Sequence, residues 1–177
     1  RVRKIDLDTS TVTTIAGNGT TVDTGDGGMA TDAGIFHPLN VAYDSIGNLY
    51  ISSEAGYIRR VDITGRITIF AGKTVNDGGT LGEHIQATDA YLKKPRGMVV
   101  DNANGYLYVA DEHLNAVRRI YLTSRAMITV AGTTVAGFSG DGGPALTAKL
   151  SGPTHLGLDA QKNLLIVILA TAAQYFQ

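Results

Sequence analysis

Three loops of this chain set an aspartate before two glycines: Asp26-Gly27-Gly28, Asp77-Gly78-Gly79 and Asp141-Gly142-Gly143. A carboxylate beside consecutive backbone amides has the chemistry to hold a cation or, through the amides, to nest an anion. Calcium takes about six to eight oxygens and its loops alternate Asp or Asn, whereas each copy here fixes one carboxylate. A phosphate loop needs Gly-Lys-Ser or Gly-Lys-Thr between a strand and a helix, and that pattern does not follow these glycines. Because the loops recur in equivalent places, they read as connections between structural units. Glycine supplies positive φ, and Pro144, or Met29 in its place, starts one short helical turn through "PALTAKL" or "MATDAGIF". Ala30, Ala33, Ala87, Ala90, Ala145 and Ala148 are expected to stay small so that this turn packs closely.

The other reactive residue types are dispersed. His37, His84, His113 and His155 fall at non-equivalent places in the repeat described below, without the helical spacing of a zinc motif. No Gly-x-Ser-x-Gly elbow occurs. No catalytic residue, metal ligand or cofactor is therefore assigned. The basic pairs Arg59-Arg60 and Arg118-Arg119, with Arg3-Lys4, sit in strand-like segments, where neighbours point to opposite faces and cannot form one nucleic-acid stripe. One of each pair, assigned as Arg60 and Arg119, is expected between sheets, its stem packed and its head paired to a carboxylate such as Asp62, Asp111 or Glu112. Asn18-Gly19-Thr20 is an N-glycosylation acceptor, and the threonine-rich "TTVDT" and "TTVAGFS" are candidate O-glycan loops.

Composition narrows the field further. With 15 basic and 16 acidic residues in 177, the formal charge of -1 gives no strong field for nucleic acid or anionic membrane. There is no cysteine, which excludes disulfides and thiolate chemistry. The longest apolar run, "LLIVILA" at 164–170, is far short of the roughly 20 residues of a membrane helix. It reads as a buried strand, and the opening "RVRKID" as a charged strand and not a signal peptide.

The elements that hold these residues repeat. "HPLNVAYDSIGNLYIS" (37–52), "KPRGMVVDNANGYLYVA" (94–110) and "GPTHLGLDAQKNLLIV" (152–167) share their prolines, Pro38, Pro95 and Pro153, at intervals of 57 and 58 residues. Asp44, Asp101 and Asp159 keep the same intervals. "VRKID", "IRRVD" and "VRRIY" recur ahead of "VTTIAG", "ITIFAG" and "ITVAG". The segment 23–38 aligns without a gap to 138–153, and the middle copy carries an insertion. Each unit reads as four strands: one after the proline, one after a turn such as Asn104-Gly105, one with the Arg pair and one ending at Ala-Gly. Valine, isoleucine, threonine and tyrosine dominate these runs, which opposes a helical repeat. Small four-stranded units at this period predict an all-β fold of propeller blades.

The phrases "GNLYIS", "GYLYVADEHLNAVRRI" and "TVAGTTVAGFSGDGGPALTAKLSGP" resemble NHL repeats of the long-insert extracellular type, similar to those of teneurins and of bacterial and algal proteins. The resemblance spans residues 1 to 167 and implies a β-propeller of NHL-type blades with short helical turns between blades. For function it implies an extracellular or cell-surface interaction or structural module with protein as its partner and glycan as a second candidate; the balanced charge and the short apolar run argue against nucleic acid and membrane insertion. Two alternatives stay open from the same resemblance: a lyase or lactonase-like hydrolase with a metal at the central channel, and an RNA-binding platform.

The strand count divides the chain into 1–36 (the second half of a blade plus its connection), 37–93 and 94–151 (full blades), and 152–177 (the first half of a blade plus a divergent tail). About three blades' worth is half of a six-bladed ring, and closed propellers generally need about four or more. A longer protein, a two-copy ring or an open filament each satisfies that count. In all three, Leu165, Val167 and Leu169 mark an edge that needs a partner.

Overall fold

The computed structural model describes residues 1–73 and 81–169. Strands β1 (Val2–Asp6) and β2 (Thr11–Ala16) form an antiparallel pair. Then β3 (Pro38–Tyr43), β4 (Leu49–Ser53), β5 (Ile58–Val61) and β6 (Ile67–Ala71) form a four-stranded meander in sequence order. The next sheet runs β8 (Pro95–Asp101), β9 (Tyr106–Asp111), β10 (Ala116–Tyr121), β11 (Ala126–Ala131), with β7 (Ile85–Gln86) added outside β11. Strands β12 (Pro153–Leu158) and β13 (Leu164–Ile168) make the last pair. The fifth strand of the middle sheet is a departure from the four-strand expectation. It lies where the insertion rejoins the repeat: Ile85 and Gln86 pair with Met127 and Ala126, as Met29 bridges Arg66 in the first copy.

The sheets stack face to face in chain order, in the manner of propeller blades. Their first strands, β3, β8 and β12, lie side by side, and each opens on a proline followed by a register shift. Proline suits that edge because it has no N–H for a ladder. The approach is close: Met98 N–H donates to Asn40 Oδ1 at 3.2 Å, and a Cβ on Gly97 would lie 2.4 Å from the Thr154 carbonyl oxygen. Alternate residues of each strand feed two different cores. Leu49, Ile51, Val61 and Ile67 pack toward β1–β2, while Tyr50, Ile58 and Phe70 pack toward Met98, Leu107 and Met127 of the next sheet.

The recurrent Ala-Gly has a definite task. Gly17 and Gly72 leave the fourth strand and donate to the carbonyls of Ala30 and Ala87 at the start of the connecting turn. Gly72 holds φ +101°, and a Cβ there would lie 2.1 Å from the Gly56 carbonyl. Ala30, Ala33, Ala87 and Ala90 are buried as expected, but Ala145 is exposed and Ala148 only half-buried. The turn itself forms, as a 3-10 helix over Ala145–Thr147 after Pro144.

The repeated aspartates clamp the hairpin between first and second strands. Asp44 accepts from Asn48 N and Nδ2 (2.8 and 2.7 Å) and from the Tyr50 hydroxyl (3.0 Å). Asp101 accepts from Asn104 Nδ2 and Asp159 from Asn163 Nδ2, at 2.7 and 2.8 Å. The middle turn is thus not the expected two-residue Asn-Gly type: Gly105 alone takes positive φ, +69°, and Asn104 serves the clamp. Burial pushes the Asp44 carboxyl up, but the Asn48 and Tyr50 bonds outweigh it and leave it below the usual range. The asparagine bonds hold Asp101 and Asp159 low as well. A carboxyl lowered on folding adds stability above its unfolded pKa, about 3.9, and loses it as pH falls through the folded value. Urea midpoints measured from pH 6 downward are expected to fall steeply only below about pH 4, and Asp44→Asn is expected to flatten that fall.

Candidate interaction surfaces and the charges that shape them

The Asp26-Gly27-Gly28 loop docks on the outer edge of β6. Gly27 N–H donates to the Ile67 carbonyl at 2.7 Å, Ile67 N–H donates to the Gly28 carbonyl at 3.0 Å, and Ala30 N–H donates to the Gly65 carbonyl. From β5, the fully buried Arg59 reaches the same loop. Its guanidinium donates to the carbonyls of Thr24 (3.1 Å) and Gly34 (3.2 Å) and pairs with Asp26 at 3.0 Å and Asp23 at 3.5 Å. A loop leaving one sheet is thereby latched to the next.

The second repeat builds the same latch from different residues. Arg118, also buried, donates to the Gly82 carbonyl at 3.0 Å and lies 3.9 Å from Glu83, which itself takes Thr129 N and Oγ1 at 2.6 Å. Burial pulls the Arg118 guanidinium down, and Glu83 and Asp111 oppose it. Asp77, Gly78 and Gly79 lie outside the described residues.

The ion pairing is therefore one residue earlier than expected, on Arg59 and Arg118 and not on Arg60 and Arg119. Both faces of these sheets are covered, so alternation alone does not say which arginine meets the acidic loop. Arg60 lies half-buried on the opposite face. Arg119 sits 4.6 Å from the Tyr106 ring centre and 4.9 Å from that of Tyr121, and donates to the Tyr121 hydroxyl at 2.6 Å. Asp111 does not serve as the arginine's acceptor: it takes the backbone N–H groups of Lys93, Lys94 and Leu114 at 2.8 to 3.2 Å. Burial pushes its carboxyl up against those bonds and against nearby Arg118. It caps the 3-10 turn Glu112–Leu114, which the repeat comparison did not reveal.

Two surface features remain. Along one rim, His37, Glu54, Lys94, Glu112 and Arg96 form a chain of pairs at 2.7 to 3.6 Å. The His37 bond, more than any other contact, holds the Glu54 carboxyl low. His113 flanks this chain 3.8 Å from Glu112, while His84 and His155 lie elsewhere, and no group of three potential metal ligands occurs among the described residues. Between neighbouring hairpin turns, a cavity of about 270 Å³ is lined by Asp44, Tyr50, Arg60, Asn102 and Leu122.

Asn18 is exposed, its Oδ1 accepting from Thr20 N and Oγ1 at 2.9 and 2.8 Å and its Nδ2 donating to the Asp32 carbonyl. Leu165, Val167 and Leu169 are 58, 55 and 48 % exposed. The Asp141-Gly142-Gly143 loop is exposed throughout.

Comparison with known proteins agrees with this architecture. No family model matches the chain. Teneurin-1 of Caenorhabditis elegans is 32% identical over 108 residues, which cover 56% of this chain and 4% of teneurin-1. A structure of unknown function from Bacteroides thetaiotaomicron superposes with TM-score 0.69 at 21% identity, covering 93% of this chain and 38% of its own. An auxiliary nutrient binding protein from Bacteroides ovatus gives 0.61 at 20%, over 93% of this chain and 39% of that one. A chain of the nidogen/laminin complex gives 0.52 at 18%, over 79% and 43%. The molecule is an all-β repeat protein of stacked antiparallel sheets, and it spans about two fifths of the structures it resembles.

The latch assignment is directly testable. Removing a buried cation that neutralises two carboxylates costs on the order of 2–4 kcal/mol, discounted here because Asp26 is partly exposed. Arg59→Met is expected to lose that much in urea denaturation and to lose amide protection across 24–34, whereas Arg60→Met stays within about 1 kcal/mol.

Proposed function

We propose that this chain is a non-catalytic module of an extracellular or cell-surface protein, working by presenting propeller loops to protein partners and by assembling with further blades or copies of itself. The observation that carries this reading is where the charge goes. Arg59, Arg118 and Asp111, the most deeply buried ionic groups among the described residues, are engaged with loops and turns of the scaffold. A catalytic site keeps its ionised groups converging on an open cavity. The teneurin match and the likeness to a chain from a complex with laminin favour extracellular protein recognition over the enzymatic and RNA-binding alternatives. The propeller would carry NHL-type blades, and glycan is a further candidate ligand.

Binding to an array of purified secreted and cell-surface ectodomains tests this. Saturable binding that survives a chelator and moderate salt is expected. Metal-dependent turnover of a lactone or peptide substrate, or RNA binding that falls steeply with salt, would replace the reading with one of its rivals.

Asn18 tests the compartment. Secreted from a eukaryotic host, the protein is expected to carry one N-glycan, removed by endoglycosidase and absent from Asn18→Gln; a wild-type protein at the mass of its bare polypeptide would count against the site.

A further inference from the structure

Arg60 and Arg119 hold one position in successive sheets: Arg60 lies opposite Tyr50 across β4 and β5, as Arg119 lies opposite Tyr108 across β9 and β10. One pair further along the later sheet, Tyr121 lies opposite Tyr106. Their two rings flank the Arg119 guanidinium, and the Tyr121 hydroxyl accepts from it. In the earlier sheet Asp62 and Asn48 stand in those two places. Both are committed elsewhere: Asn48 Nδ2 donates to Asp44, and Asp62 Oδ1 accepts from Thr64 N, Thr64 Oγ1 and Arg66 N. Arg60 thus keeps the cation and loses its housing. It is half-buried, makes no hydrogen bond or ion pair with any of the described residues, and holds its Nε out of water without a partner.

Arg60 lines the cavity of about 270 Å³ between these two sheets, which are four and five strands wide, so that its walls are whole. The remaining lining is of three kinds. Asp44 brings a carboxylate whose oxygens already accept from Ile46 N, Asn48 N, Asn48 Nδ2 and the Tyr50 hydroxyl. Ser45, Asn102 and Thr123 bring exposed polar side chains; Asn102 Oδ1 holds the Ser45 N–H, which leaves Asn102 Nδ2 and the Thr123 hydroxyl without a partner among the described residues. Ile46 and Leu122 bring aliphatic surface. Each kind restricts the occupant. A single guanidinium fork matches a carboxylate. A phosphoryl group, with a charge of about −1.5 to −2, would meet the fixed Asp44 charge where no second cation lines the cavity. The volume lies just below the roughly 300 Å³ at which pockets for drug-sized ligands begin, room for one small ring. Free hydroxyl and amide groups at its rim suit a ring that carries hydroxyls of its own.

We propose that this cavity binds an acidic sugar residue, a uronate or a sialate, with Arg60 gripping its carboxylate, Asn102 and Thr123 meeting its hydroxyls and Leu122 and Ile46 covering its C–H face. The unhoused cation selects the acid, and the rim selects the sugar. A carboxylate carried by a peptide side chain would satisfy Arg60 and bring no hydroxyl to the rim. The inference rests on the extracellular interaction reading and names one ligand class for it.

Titration of the isotope-labelled full chain, followed by amide chemical shifts, decides it. The probes are methyl glucuronoside and N-acetylneuraminate, with methyl glucoside, acetate, phosphate and an acetylated, amidated glutamate for comparison. Saturable shifts centred on the turns 44–48, 102–105 and 122–125 are expected with the two acidic sugars and absent with methyl glucoside. Arg60→Met is expected to stay folded and to weaken acidic-sugar binding about ten-fold or more, the loss of a charged hydrogen-bonding partner. Arg3→Met removes the same charge from an exposed strand and is expected to leave binding unchanged. A glucuronate-ended oligosaccharide that binds at least as tightly as the monosaccharide assigns the site to glycan ends, and a weaker one assigns it to free sugar acids. Equal or tighter binding of any comparison probe, or an Arg60→Met variant that binds like the wild type, overturns the assignment. Ectodomain binding that persists in Arg60→Met would keep the interaction reading when this site fails, and acidic-sugar binding at Arg60 stands even where the array finds no partner.

Discussion

A guanidinium withdrawn from water loses its hydration, and the protein offsets that loss with acceptors of its own, which at Arg59 and Arg118 reach the terminal nitrogens and leave Nε without a partner. Arg59 and Arg118 impose this condition at the same point of two successive units. Their acceptors are carbonyls and carboxylates of a loop that has just left the preceding sheet. Solvating the cation with protein groups and bringing that loop across the gap are therefore one event. The small alanines and the positive-φ glycine after each fourth strand follow from it, since a loop drawn this close to a sheet has no room for larger side chains.

Where the chain repeats itself, its structure is legible. Prolines at the first strands, the aspartate clamps and the Ala-Gly endings recur, and each marks a boundary that the fold respects. Legibility fails where a position is locally ambiguous. Arg59 and Arg60 both sit on strands covered on two faces, and only the placement of Asp23 and Asp26 settles which one enters the latch. Glu83 arises from the insertion, for which the other copies offer no template. Asp111 is a candidate ionic partner by charge alone, yet its carboxylate is taken by three backbone amides that a sequence does not display.

The candidate site follows the same logic. The Asp26-Gly27-Gly28 loop looks like a ligand cradle in one dimension, and in three dimensions its carboxylate and amides face the scaffold. The faces of β13 are not legible in one dimension, because all five of its residues are apolar; only their exposure alternates, with Leu165 and Val167 outward.

This distribution of bonds constrains how the surface recognises anything. At the hairpin turns the Asp44 carboxylate is already committed to three protein groups, and Ser45 N–H is tied across the gap to Asn102 at 2.7 Å. Such turns are rigid before a partner arrives, so little ordering entropy is lost on contact. Their own polar groups also have little left to offer. The tips that project are apolar, Ile46 and Ile63, 73 and 76 % exposed, with a Cβ on Gly47 meeting the Ile63 side chain at 3.3 Å. Under the proposed function, affinity at this face comes from burying isolated aliphatic knobs held on a fixed frame, and specificity from their spacing. The repeat sets the frame and the individual sheet supplies the knob, because the clamp recurs at Asp101 and Asp159 while Ala103 and Gln161 stand where Ile46 does.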